Sequence, residues 1–513
     1  MAIPTGALPP EAVIGVAGAG TMGAGIAQVA AAAGHPVRLF DAREGAAEEG
    51  IDRLRRGLDR QVARGRMTAD DRDALLGRIT AVGRLELLAP CALVVEAIVE
   101  DLEVKRGLLR ELEGICAAET ILASNTSSLS ITALAAGLDH PERVVGMHFF
   151  NPVPVMRLVE VVRGLATDPA AAGCVRATAA GWGKDAVAVK STPGFIVNRV
   201  ARPFYAEALR VLEEGGGAPE TLDALLREAG GFRMGPFELM DLIGHDVNFA
   251  VTGSVYAAYY QDPRFLPSLI QQELVAGGFL GRKSGRGFYD YAEGAVRPEP
   301  ATLAPGPRPE SVTVHGDPGP AAGLVQRLES AGLRLRRTGS AGAGWLEVDG
   351  VAVALTDGRM ATQRAVAEGR PALVLFDLAL DYGRATRIGI ATADQADPAA
   401  QARAAGLFQA AGLAVSGLDD VPGLIVARTV AMLANEAADT VNQGVADAAG
   451  VDAAMGGGVN YPRGPLAWCD ALGADWVVRV LEHLGATYGL DRYRVSPLLR
   501  RKVWSRGSFH GQQ

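Results

Sequence analysis

Residues 13–41 read VIGVAGAGTMGAGIAQVAAAAGHPVRLFD, and this stretch decides the fold. VIGVA is a short apolar run of strand type, and GIAQVAAAAG is a small-residue helix that stops at Gly34. VRLFD, residues 37–41, is the next strand. A strand, a glycine turn, a helix and a second strand closed by an acidic residue make up the dinucleotide-binding pattern. Its glycines are Gly18, Gly20 and Gly23, with Ala19, Thr21 and Met22 between them. Gly18 permits the tight turn, Gly20 lets backbone approach a pyrophosphate, and Gly23 lets helix and strand pack closely. The helix N-terminus offers unpaired N–H groups and a positive dipole end to the anion. Asp41 would accept from a ribose 2′-hydroxyl and repel a 2′-phosphate, so the expected cofactor is NAD rather than NADP. Arg43, two residues on, would soften that preference.

The alternation continues downstream. LVVEA (93–97) reads as a strand, LEVKRGLLRELEGI as a helix, and ILAS (121–124), RVVGMHF, RLVEVV and AVAV as further strands. Strands alternating with helices mean a parallel sheet in a doubly wound α/β Rossmann domain, assigned to residues 1–187. Residues 188–290 turn helical, and a Pro/Gly-rich linker is expected over 291–320. An internal repeat follows. PGFIVNR (193–199) recurs as PGLIVAR (422–428), and MGPFELMDLIG (234–244) as RGPLAWCDALG (463–473). The two motifs start 41 residues apart in both copies, so the helical domain is present twice, the second copy over 416–513. Between the copies, residues 321–415 carry the short strands ALVLFDLAL and TRIGIATA in a small α/β insert. It has no glycine-rich turn, and no ligand is assigned to it.

A chain of 513 residues, 49% hydrophobic, suits several domains. The net charge of −8 argues against a nucleic-acid binder. Cys91, Cys116, Cys174 and Cys469 lie far apart without a CxxC, so neither a disulfide framework nor a metal site is implied, and a reducing, cytoplasmic setting fits. No stretch approaches the ~20 apolar residues of a membrane helix, and the first residues lack the pattern of a secretory leader.

HFFNPVPVMRLVEVVRG, residues 148–164, places two ionisable groups in an apolar run. A lone histidine is usually a satisfied core residue, but Glu160 sits inside LVEVV, where strand interiors disfavour glutamate. The turn NPVPVM could fold one strand beside the other and bring Glu160 to the His148 ring. A carboxylate on one ring nitrogen fixes the tautomer and leaves the other free to take a proton, which is the logic of a metal-free alcohol dehydrogenase. SNTSS (124–128), at another strand end, is as well suited to a helix N-cap as to a ligand.

Together GAGTMGAGIAQVAAAAGH, VVEAIVEDLEVK, SNTSSLSIT, GMHFFNPVPVMRLVEVV, TPGFIVNR, MGPFELMDLIG and GRKSGRGFY resemble the short-chain L-3-hydroxyacyl-CoA dehydrogenases, almost continuously over 12–290. The resemblance implies NAD-dependent oxidation of (3S)-3-hydroxyacyl-CoA to 3-oxoacyl-CoA. It also implies a Rossmann domain followed by an all-α domain of the 6-phosphogluconate-dehydrogenase type. It puts the general base on His148 and its partner on Glu160, with Ser127 and Asn198 as further catalytic and substrate-orienting residues. Glu100, Lys105, Ser127, Asn151 and Lys283 would contact the cofactor, and Asn151 would also lie near the substrate. Arg64 and Arg66, in RLRRGLDRQVARGRM (53–67), are candidates for the CoA phosphates, a solvated basic helix face being the alternative. The long form resembles enzymes handling 3-hydroxyadipyl-CoA in phenylacetate breakdown as well as 3-hydroxybutyryl-CoA dehydrogenases of fatty-acid catabolism. A separate enoyl-CoA hydratase is the expected pathway partner, since the glycine turn leaves no room for such a module ahead of it. Ala427 replaces Asn198 in the second copy, which points to a structural role there and to a pseudo-dimer of helical copies within one chain, alongside possible homo-oligomers. The competing function is a catalytically inert NAD-binding or structural relative.

Overall fold

Eight strands form the first sheet: β1 (Ile14–Ala17), β2 (Val37–Phe40), β3 (Ile79–Val82), β4 (Leu93–Glu96), β5 (Ile121–Ser124), β6 (Val144–Phe149), β7 (Leu158–Arg163) and β8 (Asp185–Lys190). The computed structural model describes residues 4–511, without the side chains of residues 340–343. The strand order is β3-β2-β1-β4-β5-β6-β7-β8. Every pair is parallel except β6 with β7, where His148 stands opposite Glu160. Strands β1, β4 and β5 are buried along their whole length, which is why they read as unbroken apolar runs. This sheet and its helices make one unit, ending at Arg199 and joined by Gly444–Val459 from far downstream. The helix Ala448–Val459 packs on β7 and β8, and Lys190 N–H donates to Val445 O at 2.8 Å beside it.

The second unit holds a seven-stranded sheet: β9 (Ser311–Asp317), β10 (Arg334–Ala343), β11 (Trp345–Val348), β12 (Val351–Leu355), β13 (Leu373–Phe376), β14 (Arg387–Thr392) and β15 (Ala414–Gly417). Its order is β10-β9-β11-β12-β13-β14-β15. The linker expected over 291–320 is corrected here. Val312 and Val314 alternate inward and make β9 an interior strand, and the preceding segment is tied down by Leu303 N–H donating to Val415 O at 2.8 Å. The prolines forbid a ladder before residue 310 but not docking on a sheet edge.

The two helical copies pack together in this unit, as the pseudo-dimer expectation holds. Helix Arg202–Glu213 of the first lies on helix Val426–Asn442 of the second. Glu207, fully buried, accepts from Arg428 at 2.7 Å, from Arg492 at 2.6 and 3.0 Å, and from the Tyr493 hydroxyl at 3.2 Å. Burial alone would push its carboxyl up, but Arg492 and Arg428 outweigh burial and bring it down to about 2.

The repeat runs deeper than the helical motifs. Pro193 and Pro422 are 229 residues apart. The same separation carries the β6–β7 hairpin onto β13–β14, and His148, Glu160, Ser127 and Asn198 onto Asp377, Gly389, Thr356 and Ala427. Strands β13 and β14 are antiparallel and β14 and β15 parallel, as in β6, β7 and β8. Helix Pro219–Glu228 lies on β14 as its counterpart Ala448–Val459 lies on β7 and β8. Strands β12 to β15 are therefore a reduced image of β5 to β8.

Candidate active site

The glycine turn has the geometry its spacing requires. Gly18 has φ +104°, and a Cβ there would stand 2.5 Å from Ala97 O. A Cβ on Gly23 would stand 1.8 Å from Gly18 O. At Gly20 a Cβ would meet nothing within 4 Å, and no side chain caps the helix Thr21–Ala32 that starts there. The turn is closed below and open above, so the residues present fit the diphosphate of a dinucleotide. Asp41 Oδ2 accepts from Ala19 N–H at 2.7 Å and Oδ1 from Arg43 N–H at 3.0 Å, so the carboxylate also braces the turn. The Arg43 guanidinium is engaged with Glu49 at 2.9 and 2.5 Å.

The β6–β7 hairpin brings the two ionisable groups together. His148 is 5% exposed and Glu160 fully buried. The imidazole Nδ1–H donates to Glu160 Oε2 at 2.6 Å. The other oxygen, Oε1, accepts from the N–H groups of Ile196 at 2.9 Å and Val197 at 3.1 Å. The carboxylate is thus satisfied on both sides, which is what makes its burial tolerable. In the neutral ring with Nδ1 as donor, Nε2 carries the lone pair. Phe150 and Phe195 pack beside the ring at 4.4 and 5.8 Å between centroids. Phe195 has φ +49°, a strained value for a bulky residue, in the turn that points the 196 and 197 amides at Glu160. Leu424 repeats this at φ +52°, and there the amides of Ile425, Val426 and Ala427 donate to Asp377. The strain therefore serves to anchor a carboxylate, and only the first copy adds a histidine.

Ser127, half-buried after β5, is set by Glu100. Glu100 Oε1 accepts from Thr126 Oγ1 at 2.7 Å, from Ser127 N–H at 2.9 Å and from Ser127 Oγ at 3.2 Å. Burial pushes the Glu100 carboxyl up, but the Thr126 hydroxyl, the Lys105 ammonium and the Ser127 amide outweigh burial and hold it below its usual value. Asn198 Nδ2 donates to Ser127 O at 3.3 Å, so the two expected substrate-orienting residues are neighbours. Lys105, an expected cofactor contact, stands beside Glu100. It is 1% exposed, and its ammonium donates to Glu96 at 2.8 and 3.0 Å and to Ile98 O at 3.3 Å, with Glu100 at 3.3 Å. Its place is behind Glu100, holding that carboxylate.

Glu96 was missed, although a glutamate inside the strand LVVE carried the same signal that flagged Glu160. Asn125 was missed as well, and its Oδ1 accepts from Phe149 N–H at 2.9 Å beside the base. Asn151 is exposed in the turn after β6. Arg64 and Arg66 are exposed where helix Ala46–Ala63 ends. Lys283 lies in the second unit, with its ammonium 2.5 Å from Asp246. No cluster of histidine, cysteine or acidic side chains among the described residues could hold a metal. The four cysteines are buried and form no disulfide. No helix among the described residues is long and apolar enough to cross a membrane.

Known proteins resemble this chain over nearly all of its length. Residues 13–192 match the NAD-binding domain of 3-hydroxyacyl-CoA dehydrogenase, and 194–291 and 423–508 both match the C-terminal domain of that enzyme. Residues 353–422 match the reduced Rossmann-fold domain of 3-hydroxybutyryl-CoA dehydrogenase. The chain is 45% identical over 490 residues to 3-hydroxyadipyl-CoA dehydrogenase of Escherichia coli K12, covering 96% of this chain and 97% of that one. It is 45% identical over 278 residues to a probable 3-hydroxybutyryl-CoA dehydrogenase of Bacillus subtilis, covering 54% and 96%. The crystal structure of 3-hydroxybutyryl-CoA dehydrogenase from Escherichia coli K12 superposes with a TM-score of 0.88 at 44% identity, over 97% of this chain and 99% of that one.

Proposed function

The chain belongs to the 3-hydroxyacyl-CoA dehydrogenase family, and on that premise we propose that it oxidises (3S)-3-hydroxyacyl-CoA to 3-oxoacyl-CoA with His148 as the general base. The observation that supports this most directly is the buried 2.6 Å bond from His148 Nδ1 to Glu160. It leaves Nε2 to take the proton of the substrate hydroxyl, and the carboxylate balances the charge the ring acquires. NAD, when bound, supplies the oxidised pyridine ring that accepts the hydride from the same carbon. Ser127 and Asn198 orient the substrate oxygen, with Glu100 fixing Ser127. Arg64 and Arg66 take the CoA phosphates, and Asp41 the adenine ribose. Lys283 and Asn151 complete the contacts to cofactor and substrate.

Because relatives are named for 3-hydroxybutyryl- and 3-hydroxyadipyl-CoA, those two thioesters are the substrates to assay. An enoyl-CoA hydratase, as a separate cytoplasmic enzyme, would supply them by adding water across the double bond. His148→Ala should leave NADH binding intact and lower turnover by about 10²–10⁴-fold. Turnover equal to wild type would overturn the base assignment. The inert-relative reading is disfavoured by the intact set of Ser127, His148, Glu160 and Asn198. It would need NADH to bind tightly yet not be consumed with acetoacetyl-CoA.

A further inference from the structure

We infer that Gly458, at the end of the helix Ala448–Val459 in the second repeat, is a positioning residue for the reaction, because it seats the segment that holds Glu160. The inference rests on the His148–Glu160 reading above and adds to it a distant part of the chain.

Three successive glycines, Gly456, Gly457 and Gly458, close this helix. Each costs about 1 kcal/mol relative to alanine in a helix interior, so the run needs a reason. Packing supplies it at one end only. A Cβ on Gly456 would meet nothing within 4 Å. On Gly457 it would stand 3.3 Å from Leu158 Cβ. On Gly458 it would stand 2.8 Å from Leu158 Cδ2 and 2.9 Å from Val197 Cγ2, closer than real contacts allow. Both neighbours lead to the carboxylate. Leu158 precedes Glu160 by two on β7 and so shares its face of the sheet. Val197 gives its own N–H to Glu160 Oε1 at 3.1 Å, and Ile196 before it gives the other at 2.9 Å. The Leu158 tip can turn aside, whereas Val197 is β-branched and stiff. A methyl at 458 therefore displaces the Val197 backbone and, with it, Glu160 and the imidazole it orients.

The other half of the molecule supplies an independent observation. The counterparts of Gly456, Gly457 and Gly458 are Arg227, Glu228 and Ala229, and the counterpart of Ala454 is Leu225. That helix lies on β14, where Gly389 replaces Glu160, and Leu225 fills the space above the glycine. The helix keeps its side chains where a glycine stands at the Glu160 position and the anchoring carboxylate is Asp377 at the end of the neighbouring strand, and it is trimmed where Glu160 itself is present.

The test is a graded series in the full chain: Gly456→Ala, Gly457→Ala and Gly458→Ala, with Val197→Ala added to the last. Gly458→Ala should lower kcat about 10- to 100-fold at unchanged KM and unchanged NADH affinity, in line with an ångström-scale misplacement. Gly457→Ala should fall between it and Gly456→Ala, which should match wild type. Val197→Ala in the Gly458→Ala background should restore most of kcat, which a general loss of folding would not allow. Wild-type kcat in Gly458→Ala overturns the inference. So does a parallel loss of kcat and NADH affinity that Val197→Ala does not recover. A fully active His148→Ala enzyme would instead sink the dyad reading itself, so the two failures are distinguishable.

Discussion

Replacing Glu160 by glutamine keeps the shape of the side chain and removes its charge, and the structure fixes what must follow. The carboxylate faces three donors: His148 Nδ1–H at 2.6 Å and the amides of Ile196 and Val197 at 2.9 and 3.1 Å. A glutamine has one acceptor oxygen and one NH₂. The amides cannot rotate, so the oxygen must stay with them, since the reverse would set NH₂ against two N–H groups. The NH₂ then faces Nδ1, which becomes the acceptor, and the proton moves to Nε2. An imidazole protonated on Nε2 cannot take the substrate proton. Mere loss of one hydrogen bond, about 0.5–1.5 kcal/mol, would slow turnover roughly ten-fold at most. A flipped tautomer should cost about 10³–10⁴, which is about 4–5 kcal/mol at roughly 1.36 kcal/mol per decade. The assay is steady-state NADH consumption with acetoacetyl-CoA, with NADH affinity and thermal melting measured alongside. A folded Glu160→Gln enzyme that binds NADH and turns over within ten-fold of wild type would refute the tautomer argument.

Gly23→Ala should abolish NADH binding, because the added Cβ would stand 1.8 Å from a backbone oxygen that cannot move without opening the turn, and titration of NADH fluorescence would show it. Glu207→Gln should destabilise the second unit by about 3–5 kcal/mol in urea unfolding near neutral pH, since it leaves Arg492 buried without its carboxylate and Arg428 with only the more exposed Glu214. The folded Glu207 carboxyl lies near 2, below its ordinary value of 4.5, so this contribution is complete above about 4.5 and is lost as pH falls toward 2. The stability gap between wild type and Glu207→Gln should close over that window.

Much of the first unit could be read along the chain because its signals are local. Three glycines at fixed spacing after an apolar run, with Asp41 closing the next strand, need only neighbouring residues to have meaning. Glu160 was legible for the same reason, as a charge in a strand has no comfortable local explanation. The second unit was less so. Val312 and Val314 sit beside a proline-rich tract, and only pairing with β10 and β11 makes them a strand. The β13–β14 hairpin shares too few residue types with β6–β7 to show as a motif, and common backbone pairing alone reveals it.

The sequence by itself determined which residues could bind a dinucleotide and move a proton, because side-chain chemistry and short-range spacing travel with the chain. Tertiary structure alone decided that Lys105 faces Glu96 and Glu100 in a buried cluster. It likewise decided that Asp377 takes over the anchoring of a helix, and that a glycine at 458 rests against the residues that hold Glu160. Each of those outcomes depends on groups far apart in sequence satisfying one another where water is excluded. Burial makes such matching obligatory, and no local pattern records which distant group will meet the need.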